Sequence, residues 1–365
     1  MDLCIGCKGC ARDCPSEVDM AKLKAEVEHA NHQENGSSLR DKLFANVDRL
    51  NAVASALAPL SNWAASLPGA GTIAEKTVGI ARERDLPTFA GESFEDWFEK
   101  RGGEAASKKR AVKARAARGG SRIPLEEATR KVLLFPDTYT NYNHPRAGKA
   151  AVQVLETAGI HVEIPDGVTS TGRPAHSKGF LDRSRERART NVEALAPRVE
   201  DGWEVVLVEP SDAVMLQSDY LDLLSGRDAE RVAANTYGVM EYLDRFDLAA
   251  GLPTAELDER LTYHGHCHQK ATKKDGHAAA VLRTVGYEVD ALDSGCCGMA
   301  GSFGYEAEHY SLSRSIGQIL FDQVDDSEGE TVVAPGASCR TQLSEYEGCD
   351  DPPHPIESVA AGLSR

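Results

Sequence analysis

Apolar residues recur at helical spacing through the first hundred residues. Pro15 can begin a helix, and the mixed apolar face after it predicts a helix from Pro15 to about Glu34. Residues 39–82 continue as Ala- and Leu-rich sequence of helical character. From Leu50 to Leu67 the apolar positions form one face, which predicts an amphipathic helix packed on the core or on a partner, with a membrane-interface helix as the alternative. We therefore expect residues 1–98 to be mainly α-helical.

The stretch from Arg101 to Arg122 combines Gly-Gly pairs with a dense run of Lys and Arg. Runs of like charge are usually solvated, although a basic patch on an acidic protein can also dock a partner. We interpret residues 99–122 as an exposed basic linker.

From about Ile123 short apolar runs alternate with helical segments, a pattern typical of α/β proteins. The predicted strands are Lys131–Phe135, His161–Ile164, Val205–Val208, Leu261–Tyr263, Tyr287–Leu292 and Thr331–Ala334. The predicted helices are Ala147–Ala158, Leu181–Ala194, His277–Val285 and Ala307–Phe321. The same order of elements occurs twice.

Three pairs of short segments support this internal repetition. Residues 135–138 fall opposite residues 263–267, Ser170-Thr171-Gly172 falls opposite Cys296-Cys297-Gly298 at an offset of 126, and Asp212 falls opposite Cys339 at an offset of 127. Agreeing offsets indicate a duplicated α/β domain. We predict a first repeat at residues 123–255, which lacks cysteine, and a second repeat at residues 256–365, which contains it.

The charge of the chain excludes some functions. Its 365 residues include 57 Asp plus Glu against 41 Lys plus Arg, a net charge of −16, which argues against nucleic-acid binding. With 15 Lys against 26 Arg, the surface is acidic and lysine-poor, which favours a halophilic source over an ordinary acidic cytosolic protein. Neither a signal peptide nor an apolar run of about eighteen residues is present, so we expect a cytoplasmic protein without a transmembrane segment.

Four of the nine cysteines lie in the first fourteen residues, at Cys4, Cys7, Cys10 and Cys14. Their Cys-x-x-Cys-x-x-Cys-x-x-x-Cys-Pro spacing is that by which bacterial-type ferredoxins bind 4Fe-4S clusters. Zinc sites normally show two separated pairs, and a disulfide framework is typical of small secreted scaffolds. The spacing therefore predicts a ferredoxin-type cluster. Cys14 either completes it or serves a second cluster, whose triad is not in this chain.

A second cysteine group, Cys267, Cys296, Cys297 and Cys339, lies at the ends of three predicted strands of the second repeat. Because α/β sheets place ligands at the carboxyl ends of their strands, we expect these thiols to converge. Adjacent cysteines can bridge different irons of a cluster. Another metal, buried unreactive cysteines and a redox disulfide are the alternatives.

Three histidines and a lysine surround Cys267, namely His264, His266, His268 and Lys270. They are candidates for metal ligands, for proton relays in catalysis, or for hydrogen-bond donors to cluster sulfur. The histidines would share one side only if the backbone stays extended.

The cysteine pair Cys296-Cys297, followed by Gly298 and flanked by Cys267 and Cys339, resembles the cysteine-rich CCG domain. That domain usually occurs as a pair in the B subunit of heterodisulfide reductase, the C subunit of anaerobic glycerol-3-phosphate dehydrogenase and the iron-sulfur subunit of glycolate oxidase. Essentially the whole chain also resembles the iron-sulfur region of FAD-linked oxidases of the D-lactate dehydrogenase type. The matching motifs are Leu3–Cys10, Val18–Ala21, Leu86–Ala90, Phe94–Trp97, His266–Ala271, Cys297–Gly304 and His354-Pro355.

The chain departs from this pattern in several places. The first repeat has Ser170-Thr171 and Asp212 where cysteines would lie, so we expect it to bind no cluster and only to cover the second site. The terminal Cys-x-x-Cys appears as Cys339-x-x-Gln342, which argues against a noncubane cluster unless Cys349 substitutes. No flavin motif or Rossmann fingerprint is present.

The resemblance implies an α/β fold in which an N-terminal α-helical region of ferredoxin type precedes two repeated CCG-like domains. It implies an iron-sulfur electron-transfer subunit, or detached C-terminal part, of an FAD-dependent 2-hydroxyacid dehydrogenase of the D-lactate or glycolate type. FAD and a second Cys triad would lie on a partner, and electrons would pass to a quinone or soluble acceptor in the cytoplasm or at the inner face of the membrane. A thiol/disulfide reductase acting at the CCG site and a non-enzymatic iron-sulfur redox sensor are the alternatives.

Overall fold

A computed structural model describes residues 2–16, 18–117 and 130–364. Its N-terminal third is helical, as predicted. The eight helices are α1 (Gly9–Asp13), α2 (Met20–Asn35), α3 (Leu39–Ala45), α4 (Val47–Ala56), α5 (Leu60–Ala65), α6 (Ala70–Val78), α7 (Phe94–Lys100) and α8 (Gly103–Ala117). Asp19 caps α2 by accepting hydrogen bonds from the backbone of Ala21 and Lys22, which explains why this helix begins after Pro15 rather than at it.

The prediction of an exposed basic linker is wrong for most of its length. Residues 103–117 form α8, which packs against strand His161–Glu163 and buries Ser107 and Ala111. The Ser107 hydroxyl accepts a hydrogen bond from the backbone of Val162 at 3.0 Å. Small residues on one side of α8 let it pack while Lys108, Lys109, Arg110 and Lys113 stay exposed. Residues 118–122 of the predicted linker lie outside the described residues.

The amphipathic segment from Leu50 to Leu67 does not pack its apolar face on the core. Its helix is broken between α4 and α5, and the buried side chains of α4 are polar. Asn51 donates to the side chain of Asn143 at 2.7 Å, and the Ser55 hydroxyl donates to the carbonyl of Ala90 at 2.6 Å. The apolar face remains exposed because these hydrogen bonds fix the opposite face of α4 against the protein.

The first repeat contains a four-stranded parallel sheet of order β2-β1-β3-β4. Its strands are β1 (Lys131–Leu134), β2 (His161–Glu163), β3 (Glu204–Leu207) and β4 (Thr236–Gly238). Its helices are α9 (Thr138–Tyr142), α10 (Pro145–Thr157), α11 (Arg173–Ser177), α12 (Leu181–Glu200), α13 (Pro210–Val214), α14 (Tyr220–Leu223), α15 (Arg227–Ala234) and α16 (Val239–Arg245). The sequence pattern did not predict β4, which is only three residues long.

The second repeat contains a three-stranded parallel sheet of order β6-β5-β7. Its strands are β5 (Arg260–Tyr263), β6 (Glu288–Ala291) and β7 (Thr331–Val333). Its helices are α17 (Cys267–Ala271), α18 (Gly276–Thr284), α19 (Tyr310–Asp325), α20 (Ala337–Leu343) and α21 (Pro355–Ala361). The predicted helix Ala307–Phe321 begins as one short 3-10 turn, Ala307–His309, and becomes α-helical only at Tyr310.

The two sheets repeat one topology. In each, the first strand of the repeat is central, the second lies on one side and the third on the other. One apolar core extends across both repeats, since buried Val132, Leu155 and Tyr242 of the first cluster with Leu261 and Val281 of the second. The predicted α/β fold with parallel sheets is confirmed. The described residues contain no helix long and apolar enough to cross a membrane.

Candidate functional site

The cysteines of the second repeat lie at the carboxyl ends of its strands. Cys267 begins α17 after β5, Cys296 and Cys297 follow β6, and Cys339 lies in α20 after β7. Parallel strands end at one edge of a sheet, and this edge is where the fold brings loop residues together. The sequence pattern placed these four thiols on three different segments, and the structure brings them to one place.

The thiols form a chain of side-chain contacts. Cys297 contacts both Cys296 and Cys339, and Cys296 also contacts Cys267. The ligand atoms of His264, Cys297 and Cys339 lie within 4.8 Å of one another, and all three residues are buried. We call Cys267, Cys296, Cys297, Cys339 and His264 the CCG site.

The N-terminal cysteine motif meets the CCG site directly. The side chain of Cys7 contacts that of Cys296. The backbone carbonyl of Gly6 lies 3.0 Å from Nε2 of His268, and α1 packs on α17. Two sites that the sequence separates by almost three hundred residues are therefore in contact.

A buried lysine holds the cysteine motif on the first repeat. Lys8 forms ion pairs with Asp19 at 2.8 Å and with Asp219 at 2.9 Å, and its side chain is 7% exposed. Its φ of 58° places it in the left-handed region, which turns the chain between Cys7 and Cys10. No sequence pattern singled out Lys8, because its partners are distant in the chain.

The other cysteines of the motif are less enclosed. Cys4 and Cys14 are half-buried and Cys10 is exposed. The backbone N–H of Met20 donates to Sγ of Cys10 at 3.2 Å, and that of Gly9 donates to Sγ of Cys7 at 3.4 Å. In the described part of the chain, no three of these four cysteines bring their sulfur atoms within 4.8 Å of one another. The ligand set of the motif therefore stays a prediction.

Contacts between the thiols shift their pKa values in opposite directions. The neighbouring Cys296 thiol lowers the pKa of Cys7 to about 6 and lowers the pKa of Cys297 well below its usual value. The same contacts raise the pKa of Cys296 itself, and contact with Cys297 raises that of Cys339. Cys7 and Cys297 are thus the thiolates that neighbouring thiols stabilise, and thiolates are the metal-binding form of cysteine.

The three histidines point to different partners. His264 lies within reach of Cys297 through its ring, and its Nδ1 lies 2.6 Å from the Ser294 hydroxyl. His266 caps α17, and its ring lies 5.2 Å from that of His268, centroid to centroid. Burial lowers the pKa of His266 to about 3 and that of His268 well below its usual value. Both rings are therefore neutral near pH 7.

Lys270 and Ser294 support the site from behind. Lys270 is buried, and its Nζ donates to both the carbonyl and the hydroxyl of Ser294. Burial lowers the pKa of Lys270. These contacts hold the loop that leads to Cys296, and the interaction of Lys270 with the thiol of Cys339 is electrostatic. The position of Ser294 was not predicted, although its closeness to Gly295-Cys296-Cys297 in the sequence was a usable signal.

The first repeat has a matching site without sulfur. Thr171 donates a hydrogen bond to Asp212, where the second repeat has the contact between Cys297 and Cys339. Asp137 and Glu209 lie beside this pair, and all four side chains are buried. Burial raises the pKa of Asp137 to about 6 and that of Asp212 well above its usual value, and the neighbouring carboxylates add to both. We call Asp137, Thr171, Glu209 and Asp212 the acid site.

Two contacts join the acid site to the CCG site. Glu209 accepts a hydrogen bond from the backbone N–H of Ala337 at 2.8 Å, at the start of the helix that carries Cys339. Arg173 donates its backbone N–H to the Thr171 hydroxyl at 3.2 Å, and its Nη2 lies 3.3 Å from Nε2 of His268. Sequence reasoning missed Arg173 and Glu209, because their partners lie in the other repeat.

Gln342 occupies the position of the missing fifth thiol. Its side chain is fully buried, and its amide makes no hydrogen bond to any described residue. A Cβ at Gly317 would lie 2.3 Å from Nε2 of Gln342, so the amide is packed against α19. Cys349 is buried in the same apolar cluster as Cys297, Cys339 and Leu343, but it takes no part in the chain of thiol contacts described above.

The residues of the CCG site fit an iron-sulfur group. Soft thiolate ligands select iron-sulfur clusters, zinc and copper, and adjacent cysteines bridge different irons more readily than they close one tetrahedral ion. Nε2 of His264 is buried and makes no hydrogen bond to a described residue, as expected of a side chain turned toward a ligand. The backbone N–H of Gly298 donates to Sγ of Cys296 at 3.4 Å, as N–H groups do around the sulfur ligands of such sites.

Comparison with known proteins agrees with this site. Residues 261–344, from β5 to α20, match the model of the CCG cysteine-rich domain. The chain is 27% identical to the C subunit of anaerobic glycerol-3-phosphate dehydrogenase of Escherichia coli (strain K12) over 362 residues, which cover 96% of this chain and 83% of that protein.

Two further relatives differ from this chain in length. Identity to D-2-hydroxyglutarate dehydrogenase of Escherichia coli (strain K12) is 25% over 364 residues, which cover 98% of this chain but 34% of that protein. Identity to lactate utilization protein A of Geobacillus thermodenitrificans is 27% over 249 residues, which cover 64% of this chain and 98% of that protein. As the sequence resemblance implied, the chain is an oxidoreductase component with a cysteine-rich CCG domain, related to two dehydrogenase proteins and to a lactate utilization protein.

Proposed function

We propose that the chain is the iron-sulfur electron-transfer part of an FAD-dependent 2-hydroxyacid dehydrogenase. The observation that carries the proposal is the contact between Cys7 and Cys296, which joins the ferredoxin-type motif to the CCG site. Electron carriers need closely spaced centres. A pure scaffold has no need to bring two cysteine groups together from opposite ends of the chain.

In this proposal Cys4, Cys7 and Cys10 hold a 4Fe-4S cluster, with Cys14 as either its fourth ligand or a ligand of a partner's cluster. A second iron-sulfur group is held by Cys267, Cys296, Cys297 and Cys339. The absence of a fifth thiol restricts the type of this group. Such clusters supply one-electron storage when bound. The protein supplies thiolates, N–H donors to sulfur from Gly9, Met20 and Gly298, and a buried environment, which together tune the potential.

Substrate oxidation belongs to a partner in this account. The sequence has no flavin motif, and a relative of similar length is named as a subunit of a dehydrogenase. The D-2-hydroxyglutarate dehydrogenase that covers this chain is much longer and contains further polypeptide. Both observations support a flavin-carrying partner subunit or region, with D-lactate, glycolate or another 2-hydroxyacid as substrate, working in the cytoplasm or at the inner face of the membrane.

Stopped-flow reduction tests this proposal. The anaerobically purified chain is mixed with an FAD-dependent 2-hydroxyacid dehydrogenase and its substrate, and visible bleaching of the iron-sulfur absorption is followed. We expect bleaching only when flavoprotein and hydroxyacid are both present. Oxidation of D-lactate or glycolate by this chain alone would contradict the proposal. A thiol/disulfide reductase acting at the CCG site would instead reduce a disulfide substrate.

A further inference from the structure

The side chain of Gln342 is a buried amide whose hydrogen-bonding groups find no partner in the described protein. It is fully buried, and neither Oε1 nor Nε2 makes a hydrogen bond to a described residue. An unpaired buried polar group destabilises a fold, and nearly all buried polar groups of native proteins have a partner. The partner of this amide is therefore expected to be a group that the described chain does not itself provide.

The amide lies on the side of α20 that carries a thiol of the CCG site. Gln342 follows Cys339 by three residues within this helix, and residues three apart share one face of a helix. Cys339 in turn contacts Cys297. Leu343, the residue after Gln342, belongs to the apolar cluster that contains both cysteines. The amide and the Cys339 thiol therefore project from neighbouring positions of α20.

Two glycines let the amide approach the loop that carries the cysteine pair. Gly317 of α19 packs against the amide, because a Cβ there would overlap Nε2 of Gln342. Gly298 directly follows Cys297, and a Cβ at Gly298 would lie 3.1 Å from the backbone nitrogen of Gly317. Neither glycine has a side chain, so the amide, α19 and the loop after Cys297 pack directly on one another.

The chemistry of the amide suits sulfur better than iron. Thiolates select iron-sulfur groups, whereas a carboxamide oxygen suits hard cations. The amide nitrogen is a hydrogen-bond donor, and donors to sulfur orient and tune such centres. The backbone N–H of Gly298 already donates to Sγ of Cys296 at 3.4 Å. Because a donor stabilises the extra negative charge of the reduced state, hydrogen bonds to sulfur raise the reduction potential.

We propose that Gln342 donates a hydrogen bond from Nε2 to a sulfur atom of the iron-sulfur group at the CCG site and thereby raises the reduction potential of that group. The inference rests on the proposed function, because it needs an iron-sulfur group at this site. Gln342 then has a role at the position of the missing fifth thiol, as a hydrogen-bond donor and not as a ligand of iron.

An EPR-monitored redox titration of the anaerobically purified whole chain tests the inference. The EPR signal that is absent from Cys297→Ser identifies the CCG site. We expect Gln342→Leu, which removes the donor, to lower the ratio of reduced to oxidised group at a fixed potential by about tenfold, equivalent to ~59 mV for one electron. Gln318→Leu makes the same change at an exposed position of α19 and should change this ratio by less than about twofold. Gln342→Met replaces Gln342→Leu if that variant does not fold.

Pulsed EPR of the reduced chain gives a second readout that a merely structural role would not change. In a chain with ¹⁵N-labelled glutamine side chains, we expect a weak coupling between the CCG signal and an amide nitrogen that donates to sulfur. Gln342→Leu should lose this coupling and Gln318→Leu should keep it.

The outcomes separate this inference from the proposed function. A potential that is unchanged or raised in Gln342→Leu and Gln342→Met overturns the inference, as expected if the amide binds only a buried water molecule. The electron-transfer function still stands if a flavoprotein and its hydroxyacid reduce these variants. Loss of the iron of the CCG site in both variants would make Gln342 a ligand and overturn its role as a donor. A lowered potential in clusters that no such flavoprotein reduces keeps the role of Gln342 and removes the proposed function. A chain without iron removes both.

Discussion

The acid site and the CCG site occupy matching positions in two sheets of the same strand order. In the first repeat a hydroxyl and a carboxylic acid, Thr171 and Asp212, form a hydrogen bond. In the second, two thiols, Cys297 and Cys339, take their place. Oxygen ligands suit hard cations and thiolates suit iron-sulfur groups, so the fold keeps its shape in both repeats while the chemistry changes.

Proton affinity also distinguishes the two sites. In the acid site burial and neighbouring carboxylates raise the pKa of Asp137 and Asp212, which favours neutral acids. In the CCG site contacts between thiols lower the pKa of Cys297. The acid site therefore favours protonated acids, whereas the CCG site combines a stabilised thiolate, Cys297, with neighbouring thiols, Cys296 and Cys339, whose pKa values are raised. Glu209 and Arg173 of the first repeat brace the second through their contacts with Ala337 and His268.

Replacing a thiol of the CCG site should have the largest effect. We expect Cys297→Ser to lose the iron of that site, about half of the total if both sites are filled, because the hydroxyl is a poor ligand for iron in a cluster. The matched control, Cys349→Ser, alters a buried cysteine outside the contact chain and should keep its iron. Iron assays on anaerobically purified protein compare the two. Equal iron contents would show that Cys297 is no ligand.

Removing the buried lysine should break the attachment of the cysteine motif to the first repeat. Lys8→Met leaves Asp219, whose side chain is 1% exposed, without its buried partner, and we expect a loss of about 3–5 kcal/mol in the free energy of unfolding. Lys100→Met removes an exposed lysine that pairs with Glu92 at 3.1 Å and should cost less than about 1 kcal/mol. Anaerobic urea unfolding measures both. Similar losses in the two variants would refute the role of Lys8.

The acid site should make stability depend on pH. The pKa of Asp137 is raised from 3.8 to about 6 in the folded protein, so the folded state keeps this proton between those values while the unfolded chain releases it. Stability therefore falls as pH rises through this window. We expect the free energy of unfolding to fall by up to about 3 kcal/mol more in the unmodified chain than in Asp137→Asn. Urea unfolding at several pH values from 4 to 7 tests this, and parallel curves would contradict it.

The smallest effect should come from Ser294, whose hydroxyl contacts His264 and Lys270. Ser294→Ala removes the hydroxyl that lies 2.6 Å from Nδ1 of His264, and we expect a chelator to extract iron about tenfold faster. Ser344→Ala, which removes an exposed hydroxyl bonded to the carbonyl of Thr341, is the control and should leave the rate unchanged. An unchanged rate in Ser294→Ala would remove Ser294 from the site.

Sequence periodicity was sufficient for the α/β fold and for the strands that carry the CCG cysteines, because buried parallel strands are short apolar runs. It did not predict the helix α8, and it predicted the wrong packed face for α4. In both helices, small or polar residues face the protein. Ser107, Asn51 and Ser55 are buried because each makes a hydrogen bond to a distant segment. Such hydrogen bonds do not produce a periodic pattern of apolar residues in the sequence.

The candidate site could be predicted only in part for the same reason. Motif spacing identified the two cysteine groups, since their ligands are close in sequence or at strand ends. The contact between Cys7 and Cys296, the ion pairs of Lys8 and the bracing by Glu209 and Arg173 join residues that are far apart in the chain. Only the folded structure brings them together.

Iron and acid-labile sulfide assays, combined with EPR of the anaerobically purified and dithionite-reduced chain, show whether the two cysteine groups hold iron-sulfur clusters. We expect about four irons per chain if one cubane cluster is bound and about eight if the ferredoxin-type motif and the CCG site are both filled. Because the two sites are in contact, we also expect magnetic interaction of the reduced clusters when both are present. A protein that contains no iron after careful anaerobic purification would contradict these expectations.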